Sequence, residues 1–348
     1  MASMSLSNAK LCRRRVVSAA AAAASITSGG LLAPSPTVQA AAIPRVAAAS
    51  QAAAIVLADG TALPLATFGV QIYDDDTARE LTLRALEAGF RSFFTSPEAG
   101  NQRGFALAIR DSGLRRDELF IAGTVLSDEA ENYRSGFAKT TAAFEASLEN
   151  LCSGGIDTLD MLMLERASPF GCEAIRGQWR ALEAQRAKGM CRSVGVCNFE
   201  VSELECLLRA RGKGAAAAGE PRSFARYAPQ VNQIGYTLAT RMPHRALREA
   251  HAALGEGVAL QAWGPLGGPS GLIPRSILDE CAEYGKPLGK SASQVSLRWL
   301  VQQGVGFSVH SRSAAHLKED LDVFSWRLSD AQMARLEALS ERAPDYFF

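Results

Sequence analysis

From residue 55 onward the chain alternates between two hydrophobic rhythms. Short, almost wholly apolar runs give way to longer stretches with apolar residues at helical spacing. An opening hairpin is predicted from Ile55-Val56-Leu57, Asp59-Gly60 and Leu63-Pro64-Leu65, because Asp-Gly between apolar runs favours a tight primed turn. Strands follow at Thr67–Val70, Phe90–Thr95, Leu119–Leu126, Thr158–Glu165, Cys191–Asn198, Gln230–Gly235, Val258–Ala262 and Gly306–His310. Helical patterns fill the intervals at 75–88, 103–112, 140–151, 172–188, 202–211, 243–254, 291–303 and 314–321. A last helix, 329–340, opens with Ser329-Asp330 as its cap.

Strands this short and continuously apolar are buried on both faces, as in a parallel sheet. Eight of them alternating with helices is the count of a (β/α)₈ barrel, an α/β TIM barrel with an N-terminal hairpin and an extra C-terminal helix. A doubly wound sheet would carry a Gly-rich phosphate loop after its first strand, and none is present. Gly212–Glu220, rich in Gly and Ala, reads as a loop insertion before the sixth strand.

Ten stretches, in order and at matching spacing, resemble the aldo/keto reductase family over about residues 55–340. They are LADGTALPLATFGV (57–70), ALEAGFRSFFTS (85–96), RRDELFIAGTV (115–125), SLENL (147–151), IDTLDMLML (156–164), GMCRSVGVCNF (189–199), QVNQIGY (230–236), LQAWGPLG (260–267), SQVSLRWLVQQG (293–304) and HLKEDLDVFSWRLS (316–329). The resemblance implies NADP-dependent reduction of aldehydes or ketones: a nicotinamide hydride goes to carbonyl carbon and a Tyr protonates the oxygen. A Lys lowers that Tyr's pKa, an Asp anchors the Lys, and a His orients the carbonyl.

None of these four is retained. Phe94 holds the Asp position, Ala99 the Tyr position, Thr124 the Lys position and Glu165 the His position, and the family's Asn-Glu pair becomes Asn101-Gln102. General acid–base catalysis supplies about 10²–10⁴ in rate, and no obvious group replaces it. Three candidate substitutes stand nearby: Glu98 and Glu165, which could approach across the mouth and raise one carboxyl's pKa by repulsion, and the phenol of Tyr73.

The resemblance implies a nicotinamide cradle at Cys197, Asn198 and Gln233, an aromatic platform at Trp263, and a pyrophosphate-loop position at Leu266. Gly264 replaces a Ser there. At the adenosine end Ser311 and Arg312 could hold a 2′-phosphate and Glu319 is kept, whereas Asp320 replaces an Asn. NADP(H) binding is the expected cofactor function, weakened at that end. For Asn198 and Gln233 the structural alternative is strand-end capping, and for Trp263 it is mouth packing. His310 and His316 are expected to pack or face solvent, and no metal site is expected.

Composition narrows the partners. A formal net charge of +1 argues against a polyanionic partner, and no basic stripe interleaved with aromatics suggests nucleic acid. The first acidic residue is Asp59, and the preceding segment is rich in Ala and Ser with Arg13, Arg14 and Arg15 clustered. Residues 1–50 are therefore read as a targeting segment apart from the 51–348 barrel, leading to a plastid (stroma or lumen). A twin-arginine signal cleaved after Ala40, or an Ala-rich tail, remains open. No membrane span is expected in the mature chain. The seven Cys show no CxxC; reduced structural thiols are expected, with a disulfide as alternative.

Three functions stay in competition. The first is a catalytically impaired family member, a pseudoenzyme still binding a nicotinamide nucleotide. The second is an active NADPH-dependent carbonyl reductase with a relocated acid. The third is a noncatalytic scaffold or regulatory subunit. A small carbonyl ligand or a protein partner would serve these; the sequence leaves substrate and oligomeric state undefined.

Overall fold

The structure, a computed structural model, describes residues 53–70, 72–208, 226–239, 244–254, 257–267 and 273–340. The expected targeting segment and the Gly212–Glu220 insertion lie outside the described residues. Strands β1 (Ala54–Val56) and β2 (Ala62–Pro64) form an antiparallel hairpin. Eight further strands close into a barrel: β3 (Ala66–Gly69), β4 (Ser92–Thr95), β5 (Phe120–Val125), β6 (Leu159–Leu164), β7 (Cys191–Cys197), β8 (Val231–Gly235), β9 (Ala259–Trp263) and β10 (Gly306–Val309). Every neighbouring pair is parallel, and β10 returns beside β3 through Phe307 opposite Ala66. The eight predicted strands all form, with ends shifted by at most two residues.

Helices ring the barrel in chain order: α1 (Asp75–Ala88), α2 (Gln102–Asp111), α3 (Tyr133–Cys152), α4 (Cys172–Ala187), α5 (Val201–Leu208), α6 (His244–Ala253), α7 (Arg275–Gly285), α8 (Ala292–Gln302), α9 (Ala314–Leu321) and α10 (Asp330–Ser340). Local chemistry sets several ends. Asp74 caps α1 by accepting from Thr77 N–H, and Gly89 at φ 114° ends it. Ser291 and Gln294 form a reciprocal capping box at α8.

Four expectations need correction. The Asp59-Gly60 turn is not of the primed type, in which positive φ falls on both central residues or on the first of them. Only Gly60 has it, at 84°, because Asp59 is held in an ordinary conformation: its carboxylate accepts from Thr61 N–H at 3.0 Å and its own N–H donates to Gln230 at 2.9 Å. Helix α3 begins at Tyr133 instead of 140, and α7 forms where no helix was expected. Finally, the cysteines are not all reduced thiols: Cys172 and Cys206 form a disulfide.

The strand period of two divides the core. Phe68, Phe93, Ile121, Leu162, Leu164, Val194, Val196 and Phe307 point outward under the helices, within the main apolar cluster. Phe120, Ala122, Met161, Met163, Val231 and Cys197 point inward, and Leu57 and Leu63 of the hairpin plug the column from the N-terminal end. Phe94 packs on the same column. The C-terminal ends of the strands are left as the barrel's mouth, where barrel sites lie.

Candidate active site

At the mouth, the inward position one step beyond the apolar column falls on a different residue type in each strand. Phe94, Ser96, Glu98, Ala99, Glu165, Cys197, Asn198, Gln233, Trp263 and Ser308 are among the residues lining a cavity of about 240 Å³. A wider groove of about 1100 Å³ lies at the opposite end, where Arg116 pairs with Asp160 at 2.7 Å. It is bordered by the N-terminal ends of the strands, the structural face of such a barrel.

Of the four positions singled out in the sequence, Phe94, Ala99 and Glu165 line this cavity, and Thr124 lies beside Glu165. Phe94 is half-buried and lines the cavity with an aromatic face. Ala99 lines it too and is buried, ending a single 3₁₀ turn, Pro97–Ala99, capped by Ser96. Thr124 is buried on β5 beside Glu165. Glu165, 7% exposed, follows β6, with its N–H donating to Val125 C=O at 2.9 Å.

Glu165 is the buried acid of the mouth. Ser96 Oγ donates to its Oε2 at 2.8 Å. Burial pushes its carboxyl above the usual range, against the hydroxyls of Thr124 and Ser96, which favour the charged form; Glu98 adds a smaller upward push. The expected mutual approach of Glu98 and Glu165 is therefore not the main cause. Glu98 is exposed and turns to Arg166, with which it forms an ion pair. Tyr73 supplies no phenol to this cavity: its ring lies under the Arg312 guanidinium, 5.0 Å from centroid, and it is absent from the lining.

The expected cradle residues are brought together. Asn198 adopts φ 57°, a left-handed conformation that Asn tolerates better than most residues. Its side chain bridges the mouth, Nδ2 donating to Glu165 C=O at 3.3 Å and Oδ1 accepting from Trp263 Nε1 at 2.8 Å. Trp263 in turn lies over Gly235, where an added Cβ would come within 3.2 Å of the indole. Cys197 Sγ donates to Gln233 Oε1 at 3.3 Å, and burial holds its thiol well above its usual range. Gln233 Nε2 donates to Gln261 Oε1 at 2.8 Å, and Gln261 Nε2 donates to Thr67 Oγ1 at 3.2 Å. Thr67 shares a 2.8 Å bond with Ser92.

The other expected positions are spread along the rim. Leu266 packs half-buried against the core beside a turn in which Gly267 N–H donates to Gly264 C=O. Ser311 Oγ accepts from Ser313 N–H at 3.0 Å, and Ser313 caps α9. Arg312 is exposed there. Glu319 is half-buried and reached by Ser291 Oγ at 3.5 Å. Asp320 is 5% exposed, and burial with the charge of Glu319 pushes its carboxyl up to about 7. His310 borders the mouth and His316 is exposed; among the described residues no group of three possible metal ligands forms. No described helix is long and apolar enough to cross a membrane.

The sequence reading missed Ser96, Arg166, Gln261, Thr67 and Gly235. The first two flank positions already under scrutiny. Gln261 and Thr67 are polar residues at inward positions of predicted strands, and counting the alternation from Trp263 would have marked Gln261.

The comparisons agree with this architecture. The model of the aldo/keto reductase family matches residues 65–341. The glyoxal reductase of Bacillus subtilis (strain 168) is 32% identical over 288 residues, spanning 82% of this chain and 92% of its own. A 9,11-endoperoxide prostaglandin H2 reductase of Trypanosoma cruzi (strain CL Brener) is 28% identical over 302 residues, spanning 84% and 95%. The crystal structure of an aldo/keto reductase from Brucella melitensis superimposes with a TM-score of 0.68 at 28% identity, covering 82% of this chain and 98% of that one. With a closed parallel barrel, a mouth at its C-terminal rim and a family match across most of its length, this chain belongs to the aldo/keto reductase family.

Proposed function

We propose that this protein binds a nicotinamide dinucleotide at the barrel mouth but is impaired as a carbonyl reductase, because it lacks the proton-donating apparatus. The observation that carries this reading is the mouth's lining: an aromatic ring at Phe94 and a methyl group at Ala99 stand where the anchoring carboxylate and the phenol would be. Neither can move a proton.

The residues present fit the nucleotide in part. Trp263, lying over Gly235 and tied to Asn198, is a flat platform for a planar ring. Asn198 keeps a second N–H and a second lone pair beyond the two bonds described above, enough to take a carboxamide. Gln233 has the same spare capacity and lines the cavity. Arg312 and Ser311, beside the N-terminus of α9, suit a phosphate. Asp320 is the misfit, since its ionised form repels phosphate and lacks the amide's donors. Bound there, NADPH would supply a hydride.

A second reading is favoured by Glu165. A buried carboxyl whose pKa is raised keeps its proton closer to neutral pH and can act as an acid. Such an enzyme would slow as pH rises through that raised value.

Tryptophan fluorescence quenching during NADPH titration, followed by a carbonyl panel, separates the readings. Saturable quenching with no turnover above background supports the first. Turnover abolished by Glu165→Gln, with binding kept, supports the second and overturns the first. Absence of binding leaves a scaffold or regulatory role and overturns both.

A further inference from the structure

Two outer helices flanking β7 are joined covalently. Cys172, the first residue of α4, and Cys206, on α5, form a disulfide with Cα atoms 5.2 Å apart across 34 residues of sequence. Cys172 is exposed and Cys206 half-buried. Three free cysteines behave oppositely: Cys191, Cys197 and Cys281 are buried. Burial pushes Cys191 and Cys281 up to about 12 and holds Cys197 well above its usual range, so they stay protonated and inert.

The surroundings of Cys172 favour its thiolate. It sits in the first turn of a 16-residue helix, where unpaired N–H groups and the helix dipole attract negative charge. Arg176, one turn along, donates through Nε to Cys206 C=O at 3.1 Å and pairs with Glu173 at 2.8 Å. The carboxylate next to Cys172 is thereby matched by a cation standing between the two helices. Stabilising the reduced form makes a disulfide easier to open.

We propose that Cys172–Cys206 is a thiol–disulfide exchange site, opened by a dithiol reductant, that sets how firmly α5 is held. One thiolate of the dithiol attacks the exposed Cys172 Sγ; the S–S bond breaks and its electron pair leaves on Cys206 Sγ, which takes a proton. The second thiolate of the reductant then attacks its own sulfur joined to Cys172, closes a disulfide and expels Cys172 as a thiolate. The dithiol loses two electrons and two protons; the cysteine pair gains both electrons and one proton, and the other proton goes to solvent.

The effect stays local for a structural reason. Helix α5 has eight residues, too few to persist alone, and is held by buried Leu204, Leu207 and Leu208 together with the bridge. Upstream, Phe199 is clamped by Asn232: its N–H donates to Oδ1 at 3.3 Å and its C=O accepts from Nδ2 at 2.8 Å. That clamp separates α5 from Asn198, so opening the bridge loosens the helix and leaves the mouth in place.

The test titrates the full chain with dithiothreitol in the absence of denaturant. Differential alkylation with peptide mapping identifies the opened cysteines, and hydrogen exchange follows the helix. Cys172 and Cys206 become labelled while Cys191, Cys197 and Cys281 stay protected. Exchange across 201–208 accelerates about tenfold or more and that across 191–198 does not. Cys172 alkylates with a midpoint below about 8.5, the value of an ordinary thiol. A bridge that stays closed in native protein under excess dithiothreitol is a fixed staple and overturns the proposal. So do two free thiols in air-oxidised protein, or a Cys172→Ser/Cys206→Ser variant whose α5 exchanges as slowly as the oxidised wild type.

Discussion

At the scale of single residues, buried polar groups set the chemistry. Asp320 is the sharpest case. Burial raises its folded pKa from 3.8 to about 7, so the stability associated with it is fully present below about pH 4 and is lost as pH rises through about 7. Asp320→Asn is expected to raise stability by up to about 4 kcal/mol at pH 8 and by about 1–2 kcal/mol at pH 5, and to change little at pH 3, read from urea unfolding at the three pH values. Gln102 is 3% exposed, and both ends of its amide lack a hydrogen-bond partner among the described residues. Orphaned amides of this kind are costly, so Gln102→Met is expected to stabilise by about 1 kcal/mol in the same assay. That Phe94, Ala99, Thr124 and Glu165 lie together at the mouth was legible, because strand ends and spacing located them. The partner that Glu98 would choose was not: Arg166 follows Glu165 in sequence, yet its turn toward Glu98 depends on the loop geometry after β4 and β6.

At the scale of elements, the errors of reading have a common origin in contacts the sequence does not display. The first two turns of α3 read as loop because of Ser135 and Gly136, both poor in a helix interior. The glycine is there for packing. A Cβ at Gly136 would sit 2.5 Å from Ala174 C=O, and one at Gly177 would sit 2.1 Å from Tyr133 C=O, so the backbones of α3 and α4 touch. Gly177→Ala is expected to destabilise by about 2 kcal/mol or more, although Ala is the better helix former, and thermal melts check it. The same pair of neighbours explains the disulfide: Cys172 and Cys206 share no spacing motif, and only adjacent docking of α4 and α5 joins them. Closing that loop stabilises by about 3–4 kcal/mol in the chain-entropy account, and Cys206→Ser should lower urea stability by a similar amount.

At the scale of the whole molecule, the barrel was the most legible feature, because eight repeats of one pattern report the same architecture and single errors do not accumulate. Its closure was less visible. The hairpin's Leu63, 1% exposed, plugs the interior column together with Leu57. Leu63→Ala opens a void beneath Phe120, Met161 and Val231 and is expected to cost about 2–5 kcal/mol, read as a lowered midpoint in denaturant.

The bonded row of side chains inside the barrel carries a further consequence. Cys197 borders the mouth and Ser92 borders the groove at the other end, so the row spans the barrel from rim to base. A thiol kept protonated must give its hydrogen to Gln233, which obliges each amide in turn to pass its own hydrogen onward as far as Thr67. The row thus has one sense, and no amide in it can flip without upsetting the next. Whatever enters the mouth therefore meets Gln233 with its oxygen and nitrogen already assigned.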